Sequence, residues 1–259
     1  MDTNKNLYTV IYATVLVVLV AAALAFASEA LKPKQQRNIE IEKKQNILKS
    51  VNLGAEAATA KDKASYIEAE YAKYIKDSTV AGKEKELTLY ICTFDNSEKV
   101  YIVPVHGLGL WGPIWGYVAL KSDFNTIYGA TFDHKGETPG LGADINTTWF
   151  GGQFTGKQIF KDGEFCSVEV VKGGADKSNP HQVDAISGGT ITSKGLEKML
   201  LDSFGDYLDF FKSRLVTASA PVATDSLSCN FSFVLSKSSF KLSSCSTFSF
   251  ISFKAGSIS

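Results

Sequence analysis

Net charge is absent: 27 Lys and Arg balance 27 Asp and Glu, which argues against a nucleic-acid binder, a class that normally shows a basic excess. Cysteine is scarce and scattered. Cys92, Cys166, Cys229 and Cys245 form no Cys-x-x-Cys pair, so no zinc, iron–sulfur or thioredoxin-like site is expected, and no metal site. These thiols read as buried or incidental. No Gly-x-Gly-x-x-Gly turn sits between a strand and a helix, as a dinucleotide site would require. No nucleophilic triad or general base stands out, so no catalytic residue is expected on this chain.

Long apolar runs are also absent, with one exception. Asn6 to Ser28 carries no charge over 23 residues, and as a helix it would reach roughly 35 Å, enough to cross a hydrocarbon core of about 30 Å. The expectation is a single transmembrane anchor at 1–28. The same run can be read as a signal peptide, since Ala25-Phe26-Ala27 resembles a small-residue cleavage site, but its length favours an uncleaved span. Both readings export the remainder. The charge rule points the other way: Lys32, Lys34, Arg37, Lys43 and Lys44 follow the span closely, and a positive-inside bias would keep the main domain in the cytoplasm.

Residues 29–59 read as a helical stalk or linker, with Ile39, Ile41, Ile47, Leu48 and Val51 in a partial helical pattern. Residues 60–216 read as one folded domain. Tyr66, Ile67, Tyr71, Tyr74 and Ile75 predict a helix over 60–78, with the tyrosines on a core face. Strands are expected at 87–92, 100–105, 114–120, 126–132 and 165–171, a short helix at 146–154 and a final helix at 194–214. Strands in succession between terminal helices predict an α+β fold with helices packed on a mainly antiparallel sheet. Residues 217–259 differ: serine fills 14 of these 43 positions and phenylalanine 6, the composition of a low-complexity, disordered tail.

Three glycine-rich stretches carry the chemistry. The first runs from Asp184 through Ser187, Gly188, Gly189 and Thr190 to Thr192 and Ser193, directly before the final helix. Glycines let a phosphate approach the backbone, and the free N–H groups of a helix start favour negative charge. An exposed threonine there could be esterified to that phosphate, with Thr192, Ser193 and backbone amides hydrogen-bonding it. A plain turn with Thr192 or Ser193 as helix cap would use the same residues. The second stretch, His134 to Gly142, holds Glu137, Thr138, Pro139, Gly140 and Leu141 in a shaped loop whose backbone can meet the edge of a flat ring. The third, Gly107 to Tyr117, presents Trp111 and Trp115, whose faces can cover an aromatic cofactor.

Together, Asp-x-x-Ser-Gly-x-Thr-x-Thr-Ser, His-x-x-Glu-Thr-Pro-Gly-Leu-Gly and Gly-x-Gly-Leu-Trp-x-Pro behind one N-terminal span resemble the C subunit of the sodium-translocating NADH:quinone oxidoreductase, over residues 1 to about 213. The G subunit of the related Rnf complex shares the attachment motif, and Gly109-Leu110-Trp111 favours the C subunit. The resemblance implies FMN joined through a phosphoester to Thr190 by a flavin transferase that recognises Asp184 and Ser187. It implies Glu137, Thr138, Pro139, Gly140, Leu141 and Trp111 near the isoalloxazine. It also implies a single-pass protein of the bacterial inner membrane, its domain on the periplasmic side in contact with lipid and with other subunits of the complex. One departure is Gly189, where the family usually has alanine. The readings that compete with this are an Rnf-type electron-transport subunit and a non-catalytic exported binding module.

Overall fold

The computed structural model describes residues 6–82 and 86–219. One helix, α1 (Asn6–Ser50), takes in both the apolar run and the charged segment after it, with Pro33 inside. Residues 7–40 are almost entirely exposed, including Val10, Val17, Leu19 and Leu24, and the helix is long and apolar enough to cross a bilayer. Burial starts near Ile41 and is complete at Ile47, Leu48 and Val51. The packed body therefore includes the end of the 29–59 segment, because an apolar stripe at helical spacing there has a sheet to cover.

The sheet is a five-stranded antiparallel meander, β1 (Ile75–Ala81), β2 (Glu86–Thr93), β3 (Lys99–Leu108), β4 (Pro113–Leu120) and β5 (Ile127–His134), in that spatial order. The first four expected strands lie on β2 to β5. The helix expected over 60–78 is shorter: α2 (Lys63–Tyr74) is capped by Asp62, whose Oδ1 accepts from Ala64 N at 3.0 Å. It ends where Ile75 turns extended. Ile75, Thr79 and Val80 are β-branched, and a full register of partners from Ile75↔Cys92 to Ala81↔Glu86 outweighs the helical spacing of the tyrosines.

Alternation along the strands splits the interior into two cores. Leu89, Val103, Val105, Ile114, Val118 and Leu120 face one side, against Leu196, Met199, Leu200, Phe204 and Phe211 of α4 (Thr190–Ser219). Tyr90, Cys92, Val100, Ile102, Tyr117 and Ala119 face the other, against the end of α1 and Ile67 of α2. Full burial of each such side chain is worth about 1.5–3 kcal/mol before entropy is counted.

Between β5 and α4 the chain makes a 3₁₀ turn (Gly142–Asn146), the short α3 (Thr148–Gly152) and two small strand pairs. The single strand expected over 165–171 is broken, since Ser167 adopts φ 59°; β7 (Glu164–Phe165) pairs with β6 (Phe160–Lys161), and β8 (Glu169–Val171) pairs in parallel with β9 (Gln182–Asp184). The tail expected over 217–259 lies, past Ser219, outside the described residues.

Candidate functional site

Helix α4 starts at Thr190, four residues ahead of the expected Lys194, because Gly189 O already accepts from Ser193 N at 2.9 Å. Thr190 is thus the first helical residue, half-buried, and helix geometry leaves the N–H groups of residues 190–192 without partners four residues back. The turn before it is exposed at Ser187 and Gly188, and Gly188 takes φ 75°, a left-handed conformation suited to glycine.

The second motif folds onto this turn. Thr138-Pro139-Gly140-Leu141 is a β-turn closed by Leu141 N donating to Thr138 O at 3.1 Å, with Pro139 second and Gly140 third at φ 75°. That is the residue order a type II turn demands. Gly140 N also donates to Asp144 Oδ1 at 3.2 Å. The turn pushes Leu141 outward, 41% exposed, and a β-carbon at Gly188 would meet Leu141 Cδ2 at 2.5 Å. The two loops therefore touch at the residue beside Thr190's turn.

The third motif arrives through Glu137. Its carboxylate is buried, 5% exposed. Oε1 accepts from Trp111 N at 2.9 Å and Oε2 from the Thr192 hydroxyl at 2.7 Å, while Glu137 N donates to His134 Nδ1 at 3.2 Å. Glycine makes the space: a β-carbon at Gly142 would lie 2.5 Å from both Glu137 Oε2 and Thr192 Oγ1, and one at Gly109 would also collide with Oε1. One carboxylate thus joins three segments far apart in sequence. The outcome is a half-buried Thr190 at a helix start, joined through Glu137 and Leu141 to segments that expose Leu110, Trp111, Leu141 and Ile191. Free amides suit a phosphate there, and exposed apolar faces suit a flat ring.

The chain matches the family model of the FMN-binding domain over residues 109–203, a stretch that contains the first two motifs whole and the third from Gly109 onward. It is 46% identical over 103 residues to the C subunit of the Na(+)-translocating NADH-quinone reductase of Vibrio anguillarum, an overlap covering 40% of each chain. It is 27% identical to the C subunit from Pseudomonas aeruginosa across 80% of this chain and 95% of that one. The crystal structure of the C subunit from Parabacteroides distasonis superposes with a TM-score of 0.61 at 40% identity, covering 70% of this chain and 96% of that chain. This chain belongs to the C subunit family of the Na(+)-translocating NADH-quinone reductases. The resemblance read from the three motifs is borne out, as is the α+β fold with one N-terminal apolar helix and an antiparallel sheet.

Within this chain the site residues separate by position. Thr190, Ser187, Gly188, Leu141, Trp111, Thr138, Pro139 and Gly140 are at or near the surface. Glu137, Thr192 and Ser193 are buried, so the expectation that these two hydroxyls bond a phosphate meets a geometry in which both are engaged inside: Thr192 on Glu137, and Ser193 Oγ accepting from Ile186 N at 3.1 Å. The backbone amides of the first turn are the donors left for an anion. Asp184 sits at the end of β9, where its Oδ1 accepts from Ala175 N at 2.5 Å and its own N–H donates to Gln153 Oε1 at 2.9 Å. Gly189 is buried; a β-carbon there would lie 3.1 Å from Ile186 Cγ2 and 3.2 Å from Gly142 N, so alanine would require only a few tenths of an ångström of give.

Sequence reasoning missed Gly195. It faces the Leu108 carbonyl and brings α4 against the end of β3, and a glycine inside a helix, costing about 1 kcal/mol against alanine, was the signal for such an approach. A cavity of about 520 Å³ between the end of α1, β5 and α3 is lined by none of the motif residues.

Proposed function

We propose that this chain is the membrane-anchored electron-transfer subunit of a sodium-pumping NADH:quinone oxidoreductase, carrying FMN as a phosphoester on Thr190. The observation behind this reading is the convergence of three motifs, through Glu137, on the first turn of α4, where Thr190 is half-buried. The family match to the FMN-binding domain supports the flavin, and relatives that are C subunits of the sodium-translocating enzyme favour this complex over an Rnf-type one.

When bound, FMN would supply single-electron chemistry between an iron–sulfur centre of membrane subunits and FMN on a neighbouring subunit. The chain's own part is to hold it. Thr190 Oγ would supply the ester oxygen and lose its proton, while a flavin transferase recognising Asp184 and Ser187 would break the pyrophosphate bond of FAD, move the FMN phosphoryl group onto that oxygen and release AMP. Amides at the start of α4 face the remaining negative charge, where the helix dipole is favourable. Thr138, Pro139, Gly140, Leu141 and Trp111 would border the ring, and exposed Ile191 would extend that apolar border. Covalent attachment removes dissociation from a carrier used repeatedly. NADH is not expected to bind here.

Peptide mass spectrometry on membrane-extracted protein, produced with its flavin transferase, tests this. An FMN adduct on the peptide containing Thr190 is expected. An unmodified Thr190 peptide from such a preparation would return the chain to a plain binding module.

We place the domain outside the cytoplasm, against the basic residues that follow the span. Cys166 reports on this, being exposed while Cys92 is buried and its thiol is pushed up to about 11 by desolvation. Burial also raises the Cys166 thiol, so labelling belongs at mildly alkaline pH. A membrane-impermeant maleimide should modify Cys166 in spheroplasts without lysis. Labelling that needs lysis would put the domain in the cytoplasm.

A further inference from the structure

Glu137 is an unusual group to bury. Among the described residues the ion pairs are Lys32–Glu29, Lys73–Asp95, Lys194–Glu197 and Lys198–Asp202, and no cation lies within ion-pair distance of Glu137. Its two oxygens are satisfied by a backbone N–H and a hydroxyl. Removing a carboxylate from water without a counter-charge is costly, and a neutral side chain would fill the space at lower cost. Its location offsets part of that cost, because Thr192 is in the first turn of α4, where the helix dipole favours an anion.

The same location is next to the attachment residue. Oε2 is 2.7 Å from Thr192 Oγ1, and Thr192 is two residues beyond Thr190 in the same helix. Helix geometry then puts the carboxylate within roughly 10 Å of the Thr190 backbone. A fixed charge at that range, itself buried, acts on any group that gains or loses an electron there.

We propose that Glu137 is a positioning residue that locks the segments at 109–111, 137–142 and 190–192 into one preformed site, and that its negative charge holds the reduction potential of the attached flavin down. This rests on the reading that Thr190 carries FMN. A negative charge beside the ring opposes an added electron, so neutralising it makes reduction easier. Gly109 and Gly142 leave room for the carboxylate and no larger neighbour, which keeps the charge in one position.

The test uses full-length protein carrying its flavin and measures the midpoint potential by spectroelectrochemical titration. Glu137→Gln keeps the size and one acceptor but removes the charge; it should retain FMN on Thr190 by mass spectrometry and titrate at a more positive midpoint than wild type. Thr192→Val keeps the charge and removes one donor, so its midpoint should stay at or below wild type. Loosened packing alone would move both variants in the same direction. A wild-type midpoint in Glu137→Gln, or an upward shift shared by both variants, overturns the proposal. If Glu137→Gln does not accumulate, Thr192→Val decides: a midpoint above wild type with the charge in place refutes the charge assignment, and one at or below upholds it. Absence of FMN from the wild-type Thr190 peptide would instead be a failure of the attachment reading, visible before any variant is made.

Discussion

Thr190→Val protein is expected to fold, fractionate with the membrane and carry no covalent flavin. Valine matches threonine in shape but has no oxygen to esterify. The helix does not depend on the lost hydroxyl: Gly189 provides the carbonyl that accepts the first intrahelical bond, from Ser193 N. Thr190 is only half-buried, and substitutions away from cores and caps stay within about 0.5 kcal/mol. The loss of flavin should be complete, because the next hydroxyl cannot substitute. Thr192 is 1% exposed and its Oγ1 is bound to Glu137. In-gel flavin fluorescence after denaturation and intact mass would read the result directly. Covalent flavin surviving in this variant would remove Thr190 from its proposed role.

The second large effect is expected at Gly195, through packing. A β-carbon there would press into the Leu108 carbonyl oxygen and stand 3.3 Å from its carbon and 3.4 Å from Gly109 Cα. All three atoms are backbone, so no side chain can rotate away. Replacement by alanine in a free helix would gain about 1 kcal/mol, but overpacking against a rigid neighbour costs about 1–3 kcal/mol, and valine adds two more branches. Gly195→Val should therefore lose about 3 kcal/mol of stability. For a domain of this size that lowers Tm by about 10 °C. The damage should reach the site, since the segment pushed away begins at Leu108 and includes Trp111, whose N–H is held by Glu137. Flavin loading should fall with Tm in the same variant. A Tm within a degree or two of wild type would show that α4 and β3 separate without strain.

Local patterns were enough for most of the sheet. Strands β2 to β5 alternate in residue character, and period two is a property of the extended chain that needs no partner to be visible. The uncharged run in α1 and the apolar face of α4 are legible in the same way, through period and length. Strand β1 was not, because Ile75 continues the spacing of Tyr71 and Tyr74; only the partners offered by β2 decide that it extends. Ser167 at φ 59° splits an apparently continuous strand for a similar reason, since the N–H groups of Cys166 and Ser167 both donate to the more distant Ile159 O at 3.0 Å.

The three glycine-rich motifs, their residue types and the family they belong to were determined by sequence alone, because close backbone approach and phosphate binding demand glycine and hydroxyl residues at set intervals. What each polar residue does was decided by the tertiary structure. Glu137, Thr192 and Ser193 look as available to a ligand in the sequence as Thr190 does. Folding turns the first three inward and leaves Thr190 at a surface with unpaired amides beside it. That choice depends on hydrogen bonds spanning 26 and 55 residues, from Trp111 and Thr192 to one carboxylate, and no local pattern encodes partners so distant.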